Sequence, residues 1–253
     1  MLELNKIYNT SCIGDQGMCL IPDKSIDLII CDLPYGTTQC KWDVIIPFDK
    51  LWPQYERIIK DDGAILLFGA EPFSSMLRLS NLKLFRYDWI WDKIKGTGFL
   101  NAKKQPMRNH EIISVFYKNQ PTYQPQKTKG HNLKQTFRSK KHQTEVYGEM
   151  NEDYHYSSTE RFPRSIQEFS TDTQNSSLHP TQKPVDLIRY LIKTYSNDEE
   201  IVLDNCMGSG TTAIACIMEN RNFIGFENDL EHGYYQQSLE RIKQLKQQTS
   251  LFT

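Results

Sequence analysis

The chain has 253 residues, a formal net charge of −1 and six cysteines. That length suits one large α/β domain, alone or with a modest insertion, and is ample for a sizeable core. No C-x-x-C pair occurs, which excludes the common zinc-ribbon and dithiol spacings and predicts reduced, mostly buried thiols and no metal site.

In chain order, β-branched and aromatic runs predict strands over 6–13 and 25–32. A helix over 48–60, a strand over 63–69, a helix over 72–80 and strands over 86–93 and 110–118 follow. The pattern resumes with helix 184–196, strand 199–205, helix 210–220, strand 222–228 and helix 230–247. Strands alternating with helices imply a parallel or mixed sheet covered on both faces. Between the halves, residues 119–178 are rich in Gln, Thr, Ser, Lys and Asn without sustained periodicity, which predicts a long, partly irregular insertion. The opening MLELNKIYNT lacks the apolar core of a secretory signal, and no apolar run approaches transmembrane length. An intracellular protein with no membrane partner is therefore expected.

Charge is unevenly placed. Residues 93–142 hold twelve bases against one acid, Glu111, a local net charge of +11, while the remainder carries −12. A basic segment of this kind predicts a polyanionic partner, with a solvated basic surface as the plainer alternative.

Two motifs carry chemistry. In LDNCMGSGTTAIA (203–215) an apolar strand ends in Asp204, glycines follow at 208 and 210, and a helix begins near Thr211. Such glycines let a ligand approach the backbone, and the helix start offers unpaired N–H groups. Glu227 ends the next strand 17 residues after Gly210, placed to accept hydrogen bonds from a ribose hydroxyl pair. The pattern suits a nucleoside-type cofactor. Gly208 to Ala213 also fits the loose G-x-G-x-x-A dinucleotide fingerprint, although too little chain follows for a second mononucleotide half.

The second motif, Asp32-Leu33-Pro34-Tyr35, ends the strand SIDLIICD. An exocyclic amine of a nucleobase is a poor nucleophile because its lone pair is delocalised into the ring. The Asp32 carboxylate and the Leu33 carbonyl could hold both N–H hydrogens and turn that lone pair outward. Pro34 would fix the backbone, and the Tyr35 ring could stack on a base that has left the helix. A strand's carboxyl end is where ligands bind in α/β sheets.

Together, and in this order, the motifs resemble the beta group of amino-DNA methyltransferases. There a D-P-P-Y box comes first, a target-recognition region follows and an F-x-G-x-G cofactor loop comes last. Three further stretches resemble family segments: FGAEPFS (68–74) at the cofactor pocket, NHEIISVFYK as the strand closing the far sheet edge, and HPTQKP (179–184) before the cofactor loop. Leu33 replaces the usual second proline, and Asn205-Cys206-Met207 stands where Pro-Phe is common. Ser11 and Asp15 both remain candidates for the acceptor of the cofactor's adenine amino group.

The resemblance implies a Rossmann-like seven-stranded α/β sheet in circularly permuted order, with the first strand beside those of the C-terminal half. The catalytic half would span 1–118, the target-recognition insertion 119–178 and the cofactor half 179–253. The implied activity is methyl transfer from S-adenosyl-L-methionine to adenine N6 of a flipped base in double-stranded DNA. Aspartate at position 32 favours adenine, because many cytosine-N4 members carry serine there. Cytosine N4 remains the alternative, followed by an RNA adenine methyltransferase and a non-catalytic nucleic-acid-binding protein. No Pro-Cys dipeptide occurs, so a covalent C5-cytosine mechanism is disfavoured.

Asp32, Leu33, Pro34 and Tyr35 are the expected catalytic residues. Asp204, Gly208, Ser209, Gly210, Thr211, Thr212 and Glu227, with Phe68, Thr181 and Lys183, are expected around the cofactor. Lys183 could meet the cofactor carboxylate or simply lie exposed, and Trp42 and Asp43 could border the base pocket. DNA contacts are expected from Lys103, Lys104, Arg108, Lys127, Lys129, Lys134, Arg138, Lys140 and Lys141. The resemblance further implies a cytoplasmic bacterial or phage-encoded protein, and leaves open a homodimer and a restriction-enzyme partner.

Overall fold

The computed structural model describes residues 2–38, 40, 43–139, 152–171, 182–228 and 232–250. In chain order its elements are β1 (Lys6–Asn9), β2 (Ile26–Cys31), α1 (Phe48–Ile58), β3 (Ile59–Gly69), α2 (Phe73–Ser80), β4 (Phe85–Thr97) and β5 (Arg108–Phe116). β6 (Lys134–Arg138), β7 (Tyr154–Ser158) and β8 (Ile166–Glu168) follow, then α3 (Val185–Tyr195), β9 (Ile201–Asp204), α4 (Thr211–Met218), β10 (Asn222–Glu227) and α5 (Tyr234–Ser250). Among the described residues, no helix is long and apolar enough to cross a membrane.

All six residues of β2 are buried, so this strand must be covered on both faces. Its side chains alternate accordingly. Leu28 and Ile30 pack with Leu187, Ile188 and Leu191 of α3 and with α4, while Ile29 and Cys31 pack with Leu51 and Tyr55 of α1 and Phe73 of α2. Each such fully buried aliphatic side chain contributes about 1.5–3 kcal/mol.

The sheet order is β1-β10-β9-β2-β3-β5-β4-β8. β1 pairs with β10, as the permuted order requires. The seven expected strands are all present, and the three-residue β8 adds an eighth at the outer edge, parallel to β4. β5 alone runs against the others, paired antiparallel with both β3 and β4. The expectation that NHEIISVFYK closes the far edge is therefore overturned. Six consecutive buried residues, Glu111 to Phe116, suit an interior strand, whereas β4 buries fewer of its residues and lies outside it. Because β5 is reversed, its first residues lie at the edge where β2, β3, β9 and β10 end. Glu111 is one position beyond the Gly69–Ile112 pair.

Residues Pro125–Arg164 form a second compact unit. Its core pairing is the antiparallel β6–β7 hairpin, from Lys134–Ser158 to Arg138–Tyr154. Neither strand has a fully buried residue, which is why no alternating hydrophobic pattern announces them. The described flanks, residues 119–124 and 165–171, belong to the sheet unit. The Gln124 N–H donates to the Thr194 carbonyl (2.8 Å) and the Phe169 N–H to the Asp92 carbonyl (3.1 Å).

Candidate active site

A cavity of about 630 Å³ opens at the carboxyl ends of the central strands. One end is the turn between β9 and α4; the other is the Asp32–Tyr35 segment after β2.

At the first end, Asp204 clamps the turn. Its Oδ1 accepts the Cys206 N–H (3.0 Å) and its Oδ2 accepts the Thr212 hydroxyl (2.5 Å). Burial pushes the Asp204 carboxyl up to about 6, against the pull of those hydrogen bonds. Gly208 and Gly210 take left-handed backbone angles, φ +53° and +84°. A Cβ at Gly210 would fall 2.9 Å from Ser238 Cβ of α5, whereas one at Gly208 would meet nothing within 4 Å. Gly210 is thus required by packing, and Gly208 keeps a wall of the cavity open. Glu227 Oε2 accepts the Gly208 N–H at 2.6 Å, fixing the end of β10 against the turn. Arg241 donates to the Ser209 carbonyl (2.6 Å) and hydroxyl (3.0 Å). Thr211 and Thr212 are buried at the start of α4.

At the second end, the part-exposed Asp32 joins a charge network with the buried Lys183 and Glu111. The Tyr35 hydroxyl donates to Asp32 Oδ1 (2.7 Å), and the Lys183 ammonium lies 2.5 Å from Asp32 Oδ2. Lys183 is also 3.2 Å from Glu111 Oε2, and Glu111 Oε1 pairs closely with Lys93. Lys183 is therefore not the exposed loop residue that was one expectation, since its side chain is only 8% exposed. Burial raises the Asp32 pKa, aided by Glu111 and opposed by Lys183. Burial also opposes the ionised form of Glu111, yet Lys183 and Lys93 hold it below the ordinary carboxyl range. Burial disfavours the charged Lys183 as well, but the two carboxylates keep its pKa raised. The Lys183 ammonium sits 5.4 Å from the Phe68 ring centroid, so Phe68 forms the floor beneath it.

The Tyr35 ring stacks on Phe73 at 5.1 Å, with the planes 24° apart. Leu33 turns its side chain into the core on the α1 and α2 face. Beyond Tyr35, the Asp43 carboxylate accepts the backbone N–H groups of Gly36 (2.8 Å), Thr37 (2.9 Å) and Thr38 (2.7 Å). Burial works against the charge of Asp43, but these donors lower its pKa.

Lys103, Lys104 and Arg108 are exposed where the β4–β5 hairpin projects beyond the sheet edge. In the second unit, Lys129, Lys134 and Arg138 are exposed, while Lys127 lies 3.4 Å from Glu160 and 4.8 Å from the Phe162 ring centroid. Thr181, Lys140, Lys141 and Trp42 fall outside the described residues. Sequence reasoning missed Glu111 and Lys93. The available signal was Glu111 itself, the single acid among twelve bases, standing at the start of an apolar strand.

Comparison with known proteins agrees with this layout. A family model described as DNA methylase (N6_N4_Mtase) matches residues 26–240. The Type II methyltransferase M1.MboII of Moraxella bovis is 30% identical over 262 residues, covering 92% of this chain and 95% of that protein. The DNA adenine methyltransferase YhdJ of Escherichia coli (strain K12) is 27% identical over 241 residues, covering 88% and 78%. Among solved structures, the M1.HpyAVI–SAM complex superposes with a TM-score of 0.60 at 22% identity, covering 93% of this chain and 98% of that one. The cytosine-N4-specific PvuII DNA methyltransferase superposes at 0.65 with 15% identity, covering 95% and 90%, and this likeness bears on fold alone. By a family match spanning most of its length and a relative aligned nearly end to end, the chain belongs to the N6/N4 DNA methylase family of S-adenosylmethionine-dependent enzymes.

Proposed function

We propose that the protein methylates adenine N6 in double-stranded DNA, acting on a base rotated out of the helix. The observation that carries this reading is that one cavity has a glycine turn and an acid at one end and the Asp32–Tyr35 segment at the other. Aspartate in the box and the adenine-specific name of YhdJ support adenine over cytosine N4. The Type II relatives support a restriction-modification setting, with a restriction enzyme of the same specificity as partner.

The residues present fit the methyl donor. Gly208 leaves open space where a side chain would intrude, and Glu227 brings a carboxylate to the same wall for the ribose hydroxyls. Phe68, Ile30 and Met207 provide apolar lining, and the start of α4 contributes backbone N–H groups. When bound, S-adenosylmethionine supplies an electrophilic methyl group. The chain's own task is to present the amine. Asp32 accepts one amine hydrogen and the Leu33 carbonyl accepts the other, which localises the nitrogen lone pair. Pro34 holds that carbonyl in place, and Tyr35, braced by Phe73, gives the base a flat wall.

Recognition of the DNA sequence is assigned to residues 119–178, and Lys103, Lys104 and Arg108 are assigned to phosphates. The test uses labelled S-adenosylmethionine with unmethylated genomic DNA, digested to nucleosides. Label in N6-methyladenosine supports the reading, label in N4-methylcytosine moves the base, and label only in RNA refutes the substrate.

A further inference from the structure

Asp32 is engaged by two hydrogen-bond donors, and both have the same second acceptor. The Tyr35 hydroxyl lies 2.7 Å from Asp32 Oδ1 and 3.4 Å from Glu111 Oε2. The Lys183 ammonium lies 2.5 Å from Asp32 Oδ2 and 3.2 Å from the same Glu111 oxygen. Glu111 is nearly buried, comes from the reversed strand β5, and is held from behind by Lys93 of β4. The groups facing Asp32 are therefore Tyr35 on its own segment, Lys183 before α3 and Glu111 on β5, with Lys93 reached through Glu111. Cys31 of β2 and Asp204 of β9 complete the ionisable surroundings.

This arrangement bears on the amine chemistry. In the resting arrangement, lone pairs on both Asp32 oxygens are occupied by donors from the chain. An incoming amine that takes over one of them displaces a buried donor, and a buried donor left without a partner is costly. We propose that Glu111 is a positioning residue for methyl transfer, taking over the Tyr35 hydroxyl and the Lys183 ammonium while Asp32 turns its oxygens to the target amine. The exchange moves hydrogen bonds and no covalent bonds. The two carboxylates and two ammonium groups stay charge-balanced throughout. This inference rests on the reading of Asp32 as the amine acceptor.

The test compares Glu111→Gln, Glu111→Asp and Asp32→Asn with the wild type in single-turnover methyl transfer over a range of pH, with S-adenosylmethionine affinity measured separately. Glu111→Gln is expected to lower the rate by about 10- to 100-fold through misplacement of the amine and leave cofactor affinity within about twofold. Removing the negative neighbour, and giving Lys183 wholly to Asp32, makes the Asp32 carboxyl easier to ionise. The acid limb of the rate profile then moves to lower pH, an effect that loss of packing alone would not produce. A rate within about twofold of wild type, or a lowered rate with an unmoved acid limb, overturns the proposal. Should Glu111→Gln not fold, Glu111→Asp decides. It keeps the charge with a shorter reach, so a clear loss of rate with a wild-type acid limb supports the exchange and an unchanged rate overturns it. Asp32→Asn separates the two readings. An inactive Asp32→Asn beside an unaffected Glu111→Gln removes only the role of Glu111, whereas an active Asp32→Asn removes the Asp32 reading beneath it.

Discussion

The Lys183 ammonium lies 2.5 Å from Asp32 Oδ2, joining positions 151 residues apart, and reaches Glu111 at 3.2 Å. One cation thus serves the buried Glu111 carboxylate and the part-exposed Asp32 carboxylate at one end of the cavity. Asp32→Ala is expected to lower methyl transfer by about 10²–10⁴-fold while leaving S-adenosylmethionine affinity within a few-fold. Rate and equilibrium-binding measurements on the same preparation check this, and a near-wild-type rate would sink the catalytic assignment.

Lys183→Met leaves Asp32 and Glu111 without their shared counter-ion, and breaking a buried pair in this way costs about 3–5 kcal/mol. Both carboxyls then move to higher folded-state pKa values. A carboxyl raised in this sense keeps its stability below its unfolded pKa and loses it as pH climbs toward the folded value. The gap between Lys183→Met and wild type should therefore be small near pH 4 and widen toward pH 8. Denaturant melts at the two pH values provide the measurement; a gap that is the same at both counts against the network.

Asp204 carries the same sign in the wild-type protein. Its folded value of about 6 lies above the ordinary 3.8, so its contribution is fully present below the ordinary value and is lost as pH rises through about 6. A shift of roughly two units corresponds to about 3 kcal/mol across that window. Asp204→Asn keeps the shape and removes the titration. Plotted against pH from about 4 to 7, the stability difference between Asp204→Asn and wild type should shift in favour of the variant. A constant difference would refute the raised carboxyl.

The two glycines of the turn should respond differently to alanine. Gly210→Ala combines a positive φ with a 2.9 Å approach to Ser238 Cβ, so its main effect is lost stability. The backbone strain alone costs about 1–2 kcal/mol, and the clash adds to it. Gly208→Ala bears comparable strain but no clash in the folded chain, and its methyl group enters the cavity. It should weaken S-adenosylmethionine binding more than Gly210→Ala does relative to the stability each loses. Paired calorimetry and thermal melts would expose the opposite ranking if it holds.

The exposed lysines of the β4–β5 hairpin make a prediction about salt. If Lys103 and Lys104 meet phosphates, replacing both by alanine reduces the slope of log affinity against log salt by about 1–2, with sequence preference retained. Fluorescence anisotropy with cognate and scrambled duplexes distinguishes this from an altered base preference. An unchanged slope would place the electrostatic footprint elsewhere.

Much of the sheet was legible because its strands are apolar on both faces. Ile26–Cys31 and Ile201–Asp204 announce themselves as short buried runs, and α1, α2 and α3 lie between them with amphipathic spacing. The β6–β7 hairpin was not legible, since strands with no buried face leave no alternation to detect. Nor was the interior place of β5. Strand order depends on which neighbours a strand meets, and an apolar run reads the same at either address. At the site, the turn residues from Asp204 to Thr212 and the box from Asp32 to Tyr35 were visible as motifs, because their geometry is local. Glu111 was visible only as an odd charge.

By itself, then, the sequence determined what local physics can specify: a covered α/β sheet, a glycine turn after one strand, and an acid-proline-aromatic segment after another. Only the tertiary structure decided that Lys183 is buried between two carboxylates, that Glu111 faces Tyr35, and that Gly208 opens a cavity where Gly210 relieves a clash. The reason is the range of the forces involved. Periodicity and turn chemistry act over a few residues, whereas the ionisation of Asp32 depends on charges brought within hydrogen-bond distance from strands and loops far apart in the chain.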